Sequence, residues 1–190
     1  MNQIIDQVPG LQYIPNFVAQ EKHDALLAVI DDLPWLGDLK RRVQHYGYKY
    51  DYKKRAIDAS MKVGDLPDWA VLLSQQAVEQ KLSPYLFDQV IVNEYEPGQG
   101  ISRHVDCEPC FDDVIISVSL GAPCVMHFTA LKDKQNVPVI LEPRSAVVLS
   151  GDARYKWQHS IRANKKEVAH GQTIVRARRV SLTFRKVILQ

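Results

Sequence analysis

From Gln89 to the C-terminus the chain is a succession of short apolar runs cut apart by turn residues, and this pattern constrains the fold more than any other feature. The runs cover residues 90–95, 114–120, 125–128, 137–141, 146–150, 155–161 and 180–189. Glu96-Pro97-Gly98-Gln99-Gly100, Gly121-Ala122-Pro123 and Gly151-Asp152 punctuate them. Short strands at a spacing of roughly 8–12 residues predict a sandwich or barrel. A double-stranded β-helix, or jelly roll, fits their number and leaves a mouth for a small ligand. Helices gather upstream. Residues 20–32 read as an amphipathic helix with Leu26, Leu27 and Ile30 inward, stopped by Pro34. Residues 67–82 read as a second helix with Pro67 in its first turn and Trp69, Leu72, Leu73 and Val78 as its buried stripe. Between them residues 44–52 alternate strictly, placing Tyr46, Tyr48, Tyr50 and Tyr52 on one face of a predicted strand. The fold class expected is mostly β with N-terminal helices. With no repeat, low-complexity tract or linker, residues 1–190 are expected to form one domain, the helices in about 1–88 buttressing a β core in about 89–190.

Composition sets the outer bounds. Hydrophobic content of 46% and charged content of 24% are those of an ordinary globular protein. No apolar run approaches the roughly 18 residues needed to span a bilayer, so no membrane partner is expected. Met1-Asn2-Gln3-Ile4-Ile5-Asp6 lacks the basic and apolar regions of a signal peptide. The cysteines number three, an odd count that does not suggest a disulfide framework, and a cytoplasmic location is expected. The net charge of +2 conceals an uneven distribution. Lys40, Arg41, Arg42, Lys49, Lys53, Lys54 and Arg55 face a lone acid, Asp51; downstream, Arg162, Lys165, Lys166, Arg176, Arg178 and Arg179 accompany Glu167. Two such segments suggest a positive face for a polyanion, with a scattered solvated surface as the plainer alternative.

His104 and Asp106, in Ile101-Ser102-Arg103-His104-Val105-Asp106, carry the chemistry. Side chains at i and i+2 of a strand share a face, so an imidazole and a carboxylate can grip one metal from one side. His159, downstream, would complete the two-histidine, one-carboxylate triad that holds non-haem Fe(II) and leaves positions open. A polar pair at a strand end is the alternative. In Arg179-Val180-Ser181-Leu182-Thr183-Phe184-Arg185 the polar residues would share one face and the apolar ones the other. Two guanidinium groups and two hydroxyls make a slot for a dicarboxylate. A solvent-exposed strand face would produce the same pattern.

Taken in order, Asn93-Glu94-Tyr95-x-Pro97-Gly98, His104-x-Asp106, Ser117-Val118-Ser119-Leu120-Gly121, His159-x-Ile161 and Arg179-x-Ser181-x-Thr183-x-Arg185 resemble the AlkB family of Fe(II)/2-oxoglutarate dioxygenases. The resemblance runs from about Val90 to Val187. Residues 95–101, 150–155 and 41–48 look most like eukaryotic homologues that hydroxylate modified wobble uridine in tRNA. On that likeness the chain corresponds to the oxygenase unit, without the RNA-binding and methyltransferase domains of those homologues.

The resemblance implies that His104, Asp106 and His159 bind Fe(II) and are the catalytic centre. It implies that Asn93 and Tyr95 hydrogen-bond 2-oxoglutarate, and that Arg179 and Arg185 hold its carboxylates with Ser181 and Thr183 lining the slot. Many family members have Asn where Ser181 stands, which weakens the case for a side-chain contact there. Tyr48 and Tyr50 match a nucleotide-recognition lid, and Glu108 matches an acidic position near the target base. O2 is the oxidant. A hydroxylated N-methyl group collapses to formaldehyde and a repaired base, whereas a carbon bonded to carbon keeps its hydroxyl. Repair and tRNA modification therefore share one chemistry.

The partner implied is nucleic acid: tRNA, or a single-stranded or flipped base. A stacked base cannot reach a buried metal. Stacking tyrosines and phosphate-neutralising cations, Arg41 and Arg42 among them, suit the lid to such a substrate. A tyrosine strand packed on a helix is the alternative. Oligomeric state is open, with a monomer as the working expectation. Two rivals complete the reading: a zinc site or redox dithiol built on Cys107, Cys110, Cys124 and His127, and an oxygenase for protein or small molecules, or a non-catalytic module, in which the basic segment is merely surface.

Overall fold

The computed structural model describes residues 2–37, 40–51 and 56–189. Twelve strands are found among them: β1 Leu11–Ile14, β2 Val43–Tyr46, β3 Gln89–Tyr95, β4 Ile101–His104, β5 Ile115–Gly121, β6 Cys124–Ala130, β7 Asn136–Leu141, β8 Ala146–Leu149, β9 Trp157–Ile161, β10 Lys166–Ala169, β11 Gln172–Val175 and β12 Arg179–Arg185. The helices are α1 Asn2–Ile5, α2 Gln20–Asp31, α3 Asp68–Glu79 and α4 Gly151–Tyr155. One sheet has the order β1-β8-β5-β12-β3-β2 and the other β4-β9-β6-β7, with β10 and β11 as a separate hairpin. Every pair is antiparallel.

Alternation sorts the side chains into layers. On β8, Ala146 and Val148 face the helices while Val147 and Leu149 enter the space between the sheets. On β12, Val180, Leu182 and Phe184 join Leu26 and Ile30 of α2 and Ala70 and Ala77 of α3 in the outer core. Burying each of the three contributes about 1.5–3 kcal/mol. The space between the sheets is filled by Cys124, Met126 and Phe128 of β6, Val137, Val139 and Leu141 of β7, and Ile115 of β5. At one end that apolar filling stops, and a cavity begins. The β10–β11 hairpin closes the outer face of the smaller sheet through Ala169 and Ile174 on Val125 and Ile140. These layers are those of a double-stranded β-helix.

Five local expectations are corrected. Residues 44–52 are not one strand: β2 ends at Tyr46. Gly47 follows with φ +75°, and any Cβ there would lie 1.8 Å from the Asp88 carbonyl oxygen. Only glycine fits. Tyr46 stays with the outer core, whereas Tyr48 and Tyr50 pack with Ile57, Phe111 and Val187; Tyr52 lies outside the described residues. On α3 the buried residues are Ala70, Ser74 and Ala77, with Trp69 and Leu73 partly buried and Leu72 64% exposed. Close approach to the sheet selects small residues, and the Ser74 hydroxyl accepts the Phe87 N–H. Tyr155 ends a short helix rather than opening a strand, and the last strand stops at Arg185. Finally, Cys107 and Cys110 are joined in a disulfide, and the odd count reflects the buried free Cys124. No helix among the described residues is long and apolar enough to cross a membrane.

Candidate active site

The pairing of β4 with β9 sets His104 directly opposite His159, and their ring centroids are 4.2 Å apart. Asp106 lies just beyond β4 and folds back so that one ligand atom from each of the three residues lies within 4.8 Å of the others. His159 Nε2 is 3.7 Å from Asp106 Oδ2. His104 Nδ1 lies 2.8 Å from the Ser102 carbonyl oxygen. Donating a proton there leaves Nε2 with its lone pair aimed at the centre. Burial, reinforced by His104, pushes the His159 pKa down to about 3, so the His159 imidazole is neutral. Burial opposes ionisation of Asp106, yet Arg185 first and then His159, His104 and Arg154 outweigh it and hold the carboxyl well below the usual range. Two imidazoles and one carboxylate on one side of a point are the donor set for Fe(II) with open positions.

β12 is a central strand of the larger sheet, so its polar face is turned inward, and a solvent-exposed reading is excluded. Arg179, Ser181 and Arg185 are buried, and Thr183 is partly so. Asn93 pairs with Ser181 and Tyr95 with Arg179 in register. The cavity measures about 550 Å³ and is lined by Asn93, Tyr95, Ser181, Thr183 and Arg185 together with the triad. Arg185 donates to Asp106 Oδ1 at 2.5 Å, and Arg179 to Ser119 Oγ at 2.9 Å. Nε and Nη1 of both arginines are buried without an acceptor among the described residues. Such orphaned donors are costly. Of the two, Arg185 lines the cavity, where a carboxylate could meet its orphaned donors, whereas Arg179 is fully buried beneath it and is not part of the lining. The Ser181 hydroxyl is bonded to Ser117 Oγ at 3.0 Å, so it shapes the floor and a direct contact is secondary.

The five expected substrate residues divide. Tyr50 and Arg41 line the cavity, with Lys40 beside them. Tyr48 is partly buried against the cluster of Ile57, Phe111 and Val187. Arg42 is turned to the opposite face of the sheet, where it donates to both Glu94 carboxylate oxygens at 2.6 and 2.7 Å and covers the Trp35 ring. Arg42 is thus held in a pair with Glu94 and does not line the cavity, its side chain remaining 53% exposed. Glu108 is exposed on the turn after Asp106, outside the cavity lining.

Arg154 of α4 escaped residue-by-residue reading, although it stands within the 150–155 stretch of the resemblance. It is 1% exposed and donates to the carbonyls of Asp106, Cys107 and Phe111 at 3.0, 3.2 and 3.3 Å, clamping the loop that presents Asp106. The zinc rival fails on geometry. Cys107 and Cys110 lie in the cluster with Phe111, and Cys124 lies between the sheets. His127 is held by Asn136 and Glu167, each at 3.1 Å.

Comparison with known proteins agrees with this geometry. Residues 37–185 match the 2OG-Fe(II) oxygenase superfamily. An Arabidopsis thaliana protein described as an alkylated DNA repair protein ALKBH8 homolog is 36% identical, over 95% of this chain and 59% of its own length. A Xenopus tropicalis tRNA (carboxymethyluridine(34)-5-O)-methyltransferase alkbh8 is 38% identical, over 94% of this chain and 32% of its own. The chain thus spans only part of the length of either relative. The solved structure of OsALKBH1 superposes with a TM-score of 0.74 at 17% identity, covering 94% of this chain and 97% of that one, a likeness of fold.

Proposed function

Because the chain belongs to the 2OG-Fe(II) oxygenase superfamily, and so is a dioxygenase using Fe(II), 2-oxoglutarate and O2, we propose that it oxidises a modified or alkylated base in nucleic acid, with tRNA as the first candidate. His104, Asp106 and His159 would hold the iron, and Arg179 and Arg185 the co-substrate. Loaded in this way, the site couples oxidative decarboxylation of 2-oxoglutarate to hydroxylation of a C–H bond.

The observation that carries the substrate reading is that one turn beside the cavity joins the starts of the two basic segments. The turn through Pro97-Gly98-Gln99 lies between them: Gln99 Nε2 donates to the Lys40 carbonyl at 2.9 Å, and the Gly98 N–H to the Asn164 carbonyl. Gly100 permits this contact, since a Cβ there would lie 2.2 Å from the Ile161 carbonyl oxygen. Lys40 lines the cavity and is exposed, Arg103, Arg162, Lys165 and Lys166 are exposed on the segments that follow cavity-lining Ser102 and Ile161, and Tyr50 lines the cavity as a stacking face. Cations flanking an aromatic-lined opening suit a backbone that passes while one base turns inward. The descriptions of the Xenopus and Arabidopsis relatives, one acting on tRNA and one in alkylated DNA repair, make oxidative demethylation the second reading.

Incubation of the chain with Fe(II), 2-oxoglutarate and either tRNA or methylated single-stranded oligonucleotides, followed by nucleoside mass spectrometry, tests both. A new hydroxylated nucleoside supports modification, and formaldehyde with an unmodified base supports repair. Succinate formed equally with and without every nucleic acid would reject the substrate class.

A further inference from the structure

Arg41 and Arg42 are adjacent, but the sheet parts them, and the inward one reaches the co-substrate site rather than the solvent. Arg41 Nε donates to Asn93 Oδ1 at 2.8 Å. Its guanidinium carbon lies 5.6 Å from the Tyr95 ring centroid, while that of Arg179 lies 5.5 Å from the same ring. The backbone on either side of Arg41 is pinned. Gln99 holds the Lys40 carbonyl, and the Glu94 N–H donates to the Arg42 carbonyl at 3.0 Å. The guanidinium is therefore a fixed part of the cavity wall.

A carboxamide has an acceptor at one end and donors at the other. With Oδ1 of Asn93 occupied by Arg41, its N–H groups are left for whatever occupies the cavity. An Asn93 released from Arg41 could flip and turn its carbonyl oxygen toward an anion, replacing attraction with repulsion. We propose that Arg41 is a positioning residue that locks the Asn93 carboxamide donor-side toward 2-oxoglutarate, making co-substrate affinity depend on the docked segment around residues 40–42. This rests on the assignment of Asn93 to the 2-oxoglutarate site. It gives Arg41 a role distinct from the phosphate contact that the sequence suggested.

The test is calorimetric titration of 2-oxoglutarate into the Mn(II)-loaded full chain, alongside succinate kinetics with Fe(II). Arg41→Met and Arg41→Lys should both raise the Kd roughly tenfold, the size expected when one charge-assisted hydrogen bond is removed. The kcat at saturating 2-oxoglutarate should stay within about twofold of wild type, the split expected of a binding effect. Lysine keeps the charge but has no donor at the Nε position, so its failure to rescue marks the orientation of Asn93 as the cause. In an Asn93→Ala background neither Arg41 variant should weaken binding further. The proposal is overturned by an unchanged Kd in Arg41→Met, by wild-type affinity in Arg41→Lys, or by the same added weakening in the Asn93→Ala background. Wild-type protein that binds no 2-oxoglutarate would overturn the Asn93 assignment and the proposal together, a result told apart by the control alone.

Discussion

Replacing Arg185 with methionine isolates the pair at the centre of the site. Methionine keeps most of the apolar stem over Phe111, whose ring centroid lies 4.7 Å from the guanidinium carbon, but leaves the Asp106 carboxylate, in a residue only 7% exposed, without its 2.5 Å donor. Breaking one side of a buried ion pair costs about 3–5 kcal/mol, because the stranded charge is not resolvated. That is a large share of the roughly 5–15 kcal/mol that holds a domain folded. The sign with pH follows from the Asp106 carboxyl, whose folded pKa is depressed, burial opposing and Arg185 with its neighbours prevailing. Its ionisation therefore stabilises the fold above the unfolded value of about 3.9, and that contribution is lost as pH falls through the lower folded value. In Arg185→Met the folded pKa rises, so the gap from wild type should be full near pH 7 and shrink below about pH 4. Adding Asp106→Asn removes the stranded charge and should recover about 2–3 kcal/mol as a coupling energy. Urea unfolding of the four metal-free proteins, followed by tryptophan fluorescence, measures the cycle. A destabilisation below about 1 kcal/mol in the single variant, or strictly additive effects in the double, would refute the reasoning.

Three further outcomes are expected. His104→Ala should abolish Fe(II)-dependent succinate formation while the metal-free protein keeps its unfolding midpoint, since that imidazole is only partly buried; undiminished turnover would remove it from the triad. Leu182→Ala, in the central strand and 0% exposed, should lower urea stability by about 2–5 kcal/mol, because a strand paired on both sides cannot collapse into the void. Exchanging Lys165 and Lys166 for glutamine should weaken tRNA binding and flatten its log–log salt dependence by about 0.7 for each single-strand phosphate that is no longer neutralised. An unchanged slope would place the phosphate track elsewhere.

The features that could be read from the sequence are those where one physical rule acts alone. The β12 pattern held its meaning because a strand with Val180, Leu182 and Phe184 on one face and four polar residues on the other must turn the apolar set to the helices. The triad was legible because residue types and order suffice, even though Asp106 sits beyond the end of β4. Where two rules compete, the reading strayed. Hydropathy ranks Leu72 above Ala70, but the distance between α3 and the sheet favours the smaller side chain. Counting cysteines across the whole chain missed that Cys107 and Cys110 are near enough to pair locally. Hydropathy likewise sends arginine to the surface, whereas three carbonyls of one loop keep Arg154 inside.

The segment around Gly47 shows how a single glycine redirects a chain. Before Gly47 the chain enters and runs through β2: Gln44 donates to the Ile30 carbonyl on the helix side, Arg42 just ahead of the strand pairs with Glu94, and Arg41 lines the cavity. Had alternation continued, Tyr48 and Tyr50 would share the outer face with Tyr46 and its edge contact to Trp69. The positive φ of Gly47 resets that alternation and sends Tyr48 and Tyr50 to the cluster of Ile57, Phe111 and Val187, where Tyr50 meets Phe111 at 5.6 Å. Among the described tyrosines of this run, Tyr46 therefore anchors the helices, Tyr48 packs with Ile57, Phe111 and Val187, and Tyr50 lines the cavity. A side chain at position 47 would force the Asp88 backbone away, so its damage should fall on substrate entry as well as on stability.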